Sequence, residues 1–282
     1  MIWHLSAAIA FLLASCCASA DVARCGEMLK FMSLDPDHHV EVGGTLVVPQ
    51  VAAGRVPAVV IVHSTGGVDG TGQLYRDQLD AAGIATFEVD FKTGVFHSSM
   101  DRPEPDTFLP MGFAALKLLR ANPAIDPDRI GILGFSLGGI LAIDSMIESN
   151  RHRWLGSEKG FAAFAALYPA CRYFIRRLRG EPLQQAPLVV FYGSLDTYGA
   201  AEFCPKLESY LNERLNPPAT FIMYPDVGHG FDRPGRPMSY DDPAAVNGRG
   251  HIEFNEAAAT DARSKTLAFF QRWLIDAGRQ AP

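Results

Sequence analysis

The run Ala58–His63 (AVVIVH) constrains the fold more than any other part of the sequence. Its apolar positions are consecutive and do not alternate with polar ones, which is typical of a strand buried on both faces of a sheet. Comparable strand-like runs alternate with helix-like runs along the chain. The other strand-like runs are 44–48, 84–91, 130–135, 161–168, 188–192 and 220–223, and the helix-like runs are 74–82, 111–120, 138–147, 202–215 and 257–273. This alternation predicts an α/β fold in which helices cover both faces of a mainly parallel sheet and the carboxyl ends of the strands share one edge.

Length and charge limit the class of protein. The chain has 282 residues without an internal repeat or a long linker, so we expect one domain over residues 25–282. The net charge of −6 argues against nucleic acid as a partner, because a nucleic-acid surface needs clustered Lys and Arg. The one basic run, Arg172–Arg179, also holds aromatic and aliphatic residues and is interpreted as a solvated helix or loop face. The sequence does not indicate the oligomeric state.

Residues 1–20 differ in composition from the rest of the chain. The part Leu5–Ala20 has no formal charge and ends in Ala-Ser-Ala, which is typical of a cleaved signal peptide. It is short for a membrane span, which needs about 20 apolar residues. We expect a signal peptide at 1–20 and an exported, periplasmic or secreted protein. The segment Leu13-Ala-Ser-Cys16 supports an alternative, a lipoprotein anchored at Cys16. A second alternative is that the protein is not exported, because no Lys or Arg precedes Leu5.

Cleavage after Ala20 would leave Cys25, Cys171 and Cys204. Disulfides persist outside the cytoplasm, and three cysteines allow one bridge. Spacing alone does not assign the pair. We favour Cys171–Cys204, because both residues fall on the same side of the predicted fold, and three free thiols remain the alternative.

The strongest local motif is Gly134-Phe-Ser136-Leu-Gly138. A strand-like run enters Ser136 and a helix-like run leaves it, as in the nucleophile elbow of serine hydrolases. The two glycines supply room in this tight turn, because they lack a Cβ. The pattern predicts Ser136 as a nucleophile, and the alternative is a Gly/Ser helix N-cap.

A serine nucleophile needs a histidine base, and in α/β-hydrolases the base follows the serine and the acid along the chain. The histidines after Ser136 are His152, His229 and His251. His152 lies between two arginines and is expected at the surface, and His251 lies in a long irregular stretch. His229 follows a strand-like run and has glycine on both sides, so we predict His229 as the base and keep His251 as its rival.

The acid is expected after the strand between the serine and the histidine. The run 188–192 leads into Gly193-Ser-Leu-Asp196, which places Asp196 at the active edge of the sheet. It would hold the imidazole tautomer and stabilise the imidazolium. The alternatives are an Asx-turn role for Asp196 and the choice of Asp226 as the acid.

An oxyanion hole needs two backbone N–H donors. Leu137, directly after the serine, would supply the first, and Thr65, in the loop after the run 58–63, would supply the second. We interpret His63 as a buried, hydrogen-bonded histidine at the end of a strand. The adjacent His38-His39 pair is a poor chelate, and no phosphate-binding or dinucleotide-binding glycine motif is present, so we expect no metal and no cofactor.

These motifs resemble the dienelactone hydrolase family of α/β-hydrolases. The resemblance rests on Gly134–Gly139 (GFSLGG), Phe191–Asp196 (FYGSLD) and Tyr224–Phe231 (YPDVGHGF), and it covers roughly residues 40–275. It implies an α/β-hydrolase fold without a large cap domain, and Cys171 and Cys204 look like the cysteine pair of exported members. Where the founding type has a cysteine nucleophile and a glutamate, this sequence has Ser136 and Ser64, and a serine triad suits ordinary carboxylic esters or thioesters.

The resulting hypothesis is a serine hydrolase that cleaves a small-molecule ester through Ser136, His229 and Asp196 and an acyl-enzyme. A serine peptidase or amidase on the same fold is one alternative. A binding protein on a hydrolase fold without catalytic activity is the other.

Overall fold

The computed structural model describes residues 26–50, 54–92 and 105–277. The expected signal peptide at 1–20, the lipid site at Cys16 and Cys25 lie outside these residues. The strands are β1 (Glu27–Met32), β2 (Glu41–Val47), β3 (Val56–Val62), β4 (Ala85–Asp90), β5 (Ile125–Phe135), β6 (Phe164–Leu167), β7 (Leu188–Gly193), β8 (Thr220–Tyr224), β9 (Met238–Asp241) and β10 (Arg249–Ile252). The helices are α1 (Thr71–Ala81), α2 (Leu109–Ala121), α3 (Leu137–Asp144), α4 (Glu148–Leu155), α5 (Cys171–Arg177), α6 (Ala200–Asn212) and α7 (Glu256–Phe270), with a short 3-10 turn at Pro105–Thr107 and a π-helical continuation of α7 at Gln271–Asp276.

The main sheet has the strand order β1-β2-β4-β3-β5-β6-β7-β8. Strands β1 and β2 are antiparallel additions at one edge, and pairing is parallel from β4 to β8. All seven residues of β3 are buried, as its unbroken apolar run predicts. The two hydrophobic clusters of the core lie on opposite faces of the sheet, because alternate residues of β3, such as Val59 and Val60, belong to different clusters. This arrangement confirms the predicted α/β-hydrolase fold, and the described residues include no large cap domain.

The structure contains elements that the sequence patterns did not predict. Strand β1 is an edge strand whose side chains are mostly exposed, so its sequence lacks a buried-strand pattern. The basic run 172–179 forms most of α5, where Arg172 and Arg176 are exposed, as expected for a solvated helix face. Strands β9 and β10 form a separate antiparallel hairpin between the last strand of the main sheet and α7.

Cys171 of α5 and Cys204 of α6 form a disulfide, which is the predicted pairing. Both residues are fully buried. The bridge joins the helix that follows β6 to the helix that follows β7, so it ties together two elements at the carboxyl edge of the sheet. Among the described residues, no helix is long and apolar enough to cross a membrane.

The buried carboxylate of Asp144 links the carboxyl end of α3 to α5 through hydrogen bonds. The Asp144 side chain is inaccessible to solvent and accepts hydrogen bonds from Arg177 Nε at 2.8 Å and the Tyr173 hydroxyl at 3.2 Å. Arg177 also contacts Asp106 in the 3-10 turn. Burial raises the pKa of Asp144 to about 6, although the Arg177 guanidinium opposes this shift.

This raised pKa gives a prediction for Asp144→Asn. The folded protein holds the Asp144 proton more tightly than the unfolded chain does. The ionised group therefore destabilises the folded state above pH 6, and this penalty is relieved as the pH falls from about 6 toward 3.8. We expect the free energy of unfolding of the wild type, relative to Asp144→Asn, to rise by on the order of 2–3 kcal/mol over this window. Urea unfolding of both proteins from about pH 3.5 to 7.5 measures the difference, and parallel curves of unfolding free energy against pH would contradict it.

Candidate active site

Ser136 lies in a strained turn between β5 and α3. Its backbone has φ 52° and ψ −109°, a conformation that residues with a Cβ rarely adopt. A Cβ on Gly134 would lie 1.9 Å from the Gly138 carbonyl oxygen, and a Cβ on Gly138 would lie 2.3 Å from the Val62 carbonyl oxygen. Both glycines are therefore required for the turn to close and to pack against the end of β3. The turn holds the Ser136 side chain, which is partly exposed, above the carboxyl edge of the sheet.

The structure brings Ser136, His229 and Asp196 together. The Ser136 Oγ is 2.9 Å from His229 Nε2, and His229 Nδ1 is 2.9 Å from Asp196 Oδ2. His229 and Asp196 are almost completely buried, with 3% and 6% of their surfaces exposed. Because a carboxylate only accepts, His229 Nδ1 carries the proton, and Nε2 is left to accept the Ser136 hydroxyl proton. This geometry suits the removal of a proton from Ser136 during nucleophilic attack.

The loops that carry Asp196 and His229 are hydrogen-bonded to each other. The N–H groups of Ser194 and Leu195 donate to the carbonyl oxygens of Tyr224 and Val227, each at 2.9 Å. The second oxygen of Asp196 accepts the Tyr198 N–H at 2.8 Å. These bonds fix the acid and the base relative to each other on adjacent strands, β7 and β8.

Two tyrosine rings enclose the His229 ring. Tyr168 meets it edge-on with ring centroids 4.9 Å apart, and Tyr198 lies 4.5 Å from it. Each hydroxyl donates to a carboxylate, Tyr168 to Asp232 Oδ1 at 2.6 Å and Tyr198 to Asp242 Oδ2 at 2.7 Å. Burial raises the pKa of Tyr168, so its hydroxyl remains a donor. The two pairs limit the tilt of the imidazole.

Sequence reasoning missed these supporting residues. Asp232 is fully buried and also accepts the Tyr75 hydroxyl at 2.6 Å, and burial raises the pKa of its carboxyl. Its two tyrosine partners are 157 and 64 residues away along the chain. A local sequence pattern could not have indicated contacts between residues so far apart along the chain.

The two residues expected to supply the oxyanion donors lie in the turn at Ser136 and in the loop after β3. Leu137 begins α3 directly after Ser136, so its N–H is among the first amides of the helix, which have no acceptor within the helix. Thr65 is exposed in the loop after β3. That loop is closed by a hydrogen bond from the Gly67 N–H to the Ser64 carbonyl oxygen at 3.0 Å.

The rival residues lie apart from this arrangement. His152 is exposed on α4, as predicted. His251 is in β10, where its Nδ1 is 2.8 Å from Ser239 Oγ. Asp226 is exposed, and its N–H donates to Ser194 Oγ at 2.8 Å. Within the described parts of the chain, no group of three or more His, Cys, Asp or Glu side chains is arranged to hold a metal ion.

Comparison with known proteins agrees with this architecture. The model of the dienelactone hydrolase family matches residues 42–274. The Bacillus subtilis (strain 168) protein YtaP, whose name assigns it provisionally to the hydrolases, is 25% identical over 142 residues, which are 41% of this chain and 47% of YtaP. The matched region thus spans about half the length of this curated relative.

Two solved structures share the fold at 16% identity. One is the dienelactone hydrolase-like promiscuous phosphotriesterase P91 from metagenomic libraries, with a TM-score of 0.61 over 88% of this chain and 99% of P91. The other is esterase 2 of Thermogutta terrifontis phosphorylated by paraoxon, with a TM-score of 0.63 over 92% of this chain and 96% of the esterase. At this level of identity the likeness concerns the fold.

Proposed function

Because this chain belongs to the dienelactone hydrolase family, we propose that it is a serine hydrolase that cleaves carboxylic esters of small molecules through an acyl-enzyme. One observation carries the proposal. The continuous hydrogen-bonded chain from Ser136 Oγ through the His229 imidazole to Asp196 has the order and distances of a catalytic triad. The serine lies in a strained turn, which is the setting that a nucleophile elbow requires.

The proposed reaction has two steps. His229 Nε2 accepts the Ser136 proton as Oγ attacks the ester carbonyl carbon, and the same proton then passes to the leaving alcohol. His229 next activates a water molecule, which attacks the acyl-enzyme and releases the carboxylic acid and free Ser136. Asp196 holds the imidazole tautomer and stabilises the imidazolium. The Leu137 and Thr65 N–H groups stabilise the negative oxygen of each tetrahedral intermediate.

A covalent probe tests this proposal. Paraoxon or a fluorophosphonate should modify the wild-type protein once, and peptide mass spectrometry should place the adduct on Ser136. Phosphorylation of the Thermogutta terrifontis esterase by paraoxon supports the choice of probe. The modified protein should lose activity on p-nitrophenyl acetate in proportion to the adduct. An inert Ser136 would favour a binding protein, and turnover of blocked peptides faster than esters would favour a peptidase.

We also propose that the protein is exported. The buried Cys171–Cys204 disulfide supports this, because such bonds persist outside the reducing cytoplasm. The apolar leader in the sequence supports it as well, with the lipoprotein as the alternative destination.

A further inference from the structure

His63 is a buried histidine that the proposed reaction does not use. It lies at the end of β3 with 6% of its surface exposed. Its Nδ1 is 2.6 Å from the Ser64 carbonyl oxygen, and its Nε2 is 3.0 Å from the Phe91 backbone nitrogen. The imidazole thus bridges Ser64, in the loop after β3, and Phe91, the residue directly after β4.

The two partners allow one protonation state. The Phe91 N–H only donates, so Nε2 must be unprotonated, and the Ser64 carbonyl only accepts, so Nδ1 must carry the proton. His63 is therefore a neutral imidazole in a fixed tautomer. Burial lowers the pKa of His63, which agrees with the neutral form.

The Ser64 carbonyl oxygen accepts two hydrogen bonds, from His63 Nδ1 at 2.6 Å and from the Gly67 N–H at 3.0 Å. In a planar trans peptide, the carbonyl of one residue and the N–H of the next point in opposite directions. The Ser64 carbonyl is directed toward the buried imidazole, so the Thr65 N–H is directed away from the imidazole. Rotation of this peptide would place a carbonyl oxygen where a donor is required.

We propose that His63 is a positioning residue for the oxyanion hole, holding the Ser64–Thr65 peptide so that the Thr65 N–H faces the substrate. The inference rests on the proposed function, in which Thr65 is an oxyanion donor. The loop is suitably placed, because a Cβ on Gly138, two residues after Ser136, would lie 2.8 Å from the His63 carbonyl oxygen. Lys92 Nζ provides a second tie, donating to the Gly66 carbonyl oxygen at 3.2 Å.

Two substitutions of His63 distinguish a role in orienting the Ser64–Thr65 peptide from a role in stabilising the fold alone. In His63→Asn, the side-chain amide nitrogen replaces Nδ1 and can still donate to the Ser64 carbonyl, while the acceptor for Phe91 is lost. In His63→Gln, the side-chain amide oxygen replaces Nε2 and can still accept from the Phe91 N–H, while the donor to the Ser64 carbonyl is lost. Each variant loses one hydrogen bond of the imidazole, so the two should unfold at similar temperatures.

We expect kcat for p-nitrophenyl acetate to fall about 10²-fold in His63→Gln, as when one oxyanion donor is removed, with little change in KM. His63→Asn should stay within about tenfold of wild type, the scale of one hydrogen bond. His63→Ala lacks both hydrogen bonds. If His63→Gln does not fold, the comparison is between the other two variants, and kcat of His63→Asn should exceed kcat of His63→Ala. The proposal would be overturned if His63→Asn had the same kcat as His63→Gln, or the same kcat as His63→Ala.

A structural readout separates this inference from the proposed function. Crystal structures of His63→Gln and His63→Asn should show the Ser64–Thr65 peptide rotated in the first and unchanged in the second. An unrotated peptide in His63→Gln would refute the positioning role, whatever the activity. Wild-type activity in Ser136→Ala would instead refute the proposed function.

Discussion

Replacement of Ser136 by Ala is expected to lower kcat for p-nitrophenyl acetate by about 10⁴- to 10⁶-fold. The substitution removes the attacking oxygen, and the remaining groups can only assist attack by water. The fold should be retained, because Ser136 is partly exposed and Ala is smaller. Steady-state kinetics with active-site-titrated wild type, together with circular dichroism of both proteins, measures the effect.

Ser145→Ala is a matched control. Ser145 lies just after α3, the helix that Ser136 precedes, and its Oγ donates to the Ala142 carbonyl oxygen at 2.8 Å. It has no contact with His229, so kcat should remain close to wild type although stability falls slightly. If Ser136→Ala and Ser145→Ala had the same kcat, Ser136 would not be the nucleophile.

Loss of the disulfide should produce the largest change in stability. Cys171 and Cys204 are 33 residues apart, and a bridge that closes a loop of this length raises the free energy of the unfolded chain by about 4 kcal/mol at 25 °C, because it lowers the entropy of that chain. The double variant Cys171→Ala/Cys204→Ala should therefore unfold at a lower urea concentration, by an amount that corresponds to several kcal/mol. Urea unfolding monitored by tryptophan fluorescence measures this difference.

Reduction of the wild type with dithiothreitol is the control, because it breaks the bond without removing side-chain atoms. Reduced wild type and the double variant should both be less stable than oxidised wild type, and the variant should be the lowest, since its two smaller side chains leave space in the core. A change below about 1 kcal/mol in both would show that the bridge does not constrain the unfolded chain.

The sheet and the three central site residues were predictable because their signals are local. Ser136, Asp196 and His229 each lie within five residues of the end of a strand, and parallel strands end at one edge of the sheet. Their roles could be proposed from their order along the chain without knowledge of any long-range contact.

The surroundings of the site were not predictable in this way. Tyr168 and Asp232 meet only because β6 and the loop after β8 are brought to the same place by the sheet. The hairpin of β9 and β10, which supplies Asp242 near Tyr198, has short strands without a buried apolar face. His63 was predicted to be buried and hydrogen-bonded, and it is, but its choice of the Ser64 carbonyl depends on the geometry of a turn.

The hydrogen bonds between the Asp196 and His229 loops mean that the site consists of two parts. Acid and base form one rigid unit on the β7–β8 side, while Ser136 belongs to β5 and α3. The His229–Asp196 bond lies within that unit, whereas the bond from Ser136 Oγ to His229 Nε2 joins it to the β5–α3 turn. The hydrogen bond that spans the two parts of the site is therefore the one across which the proton must pass.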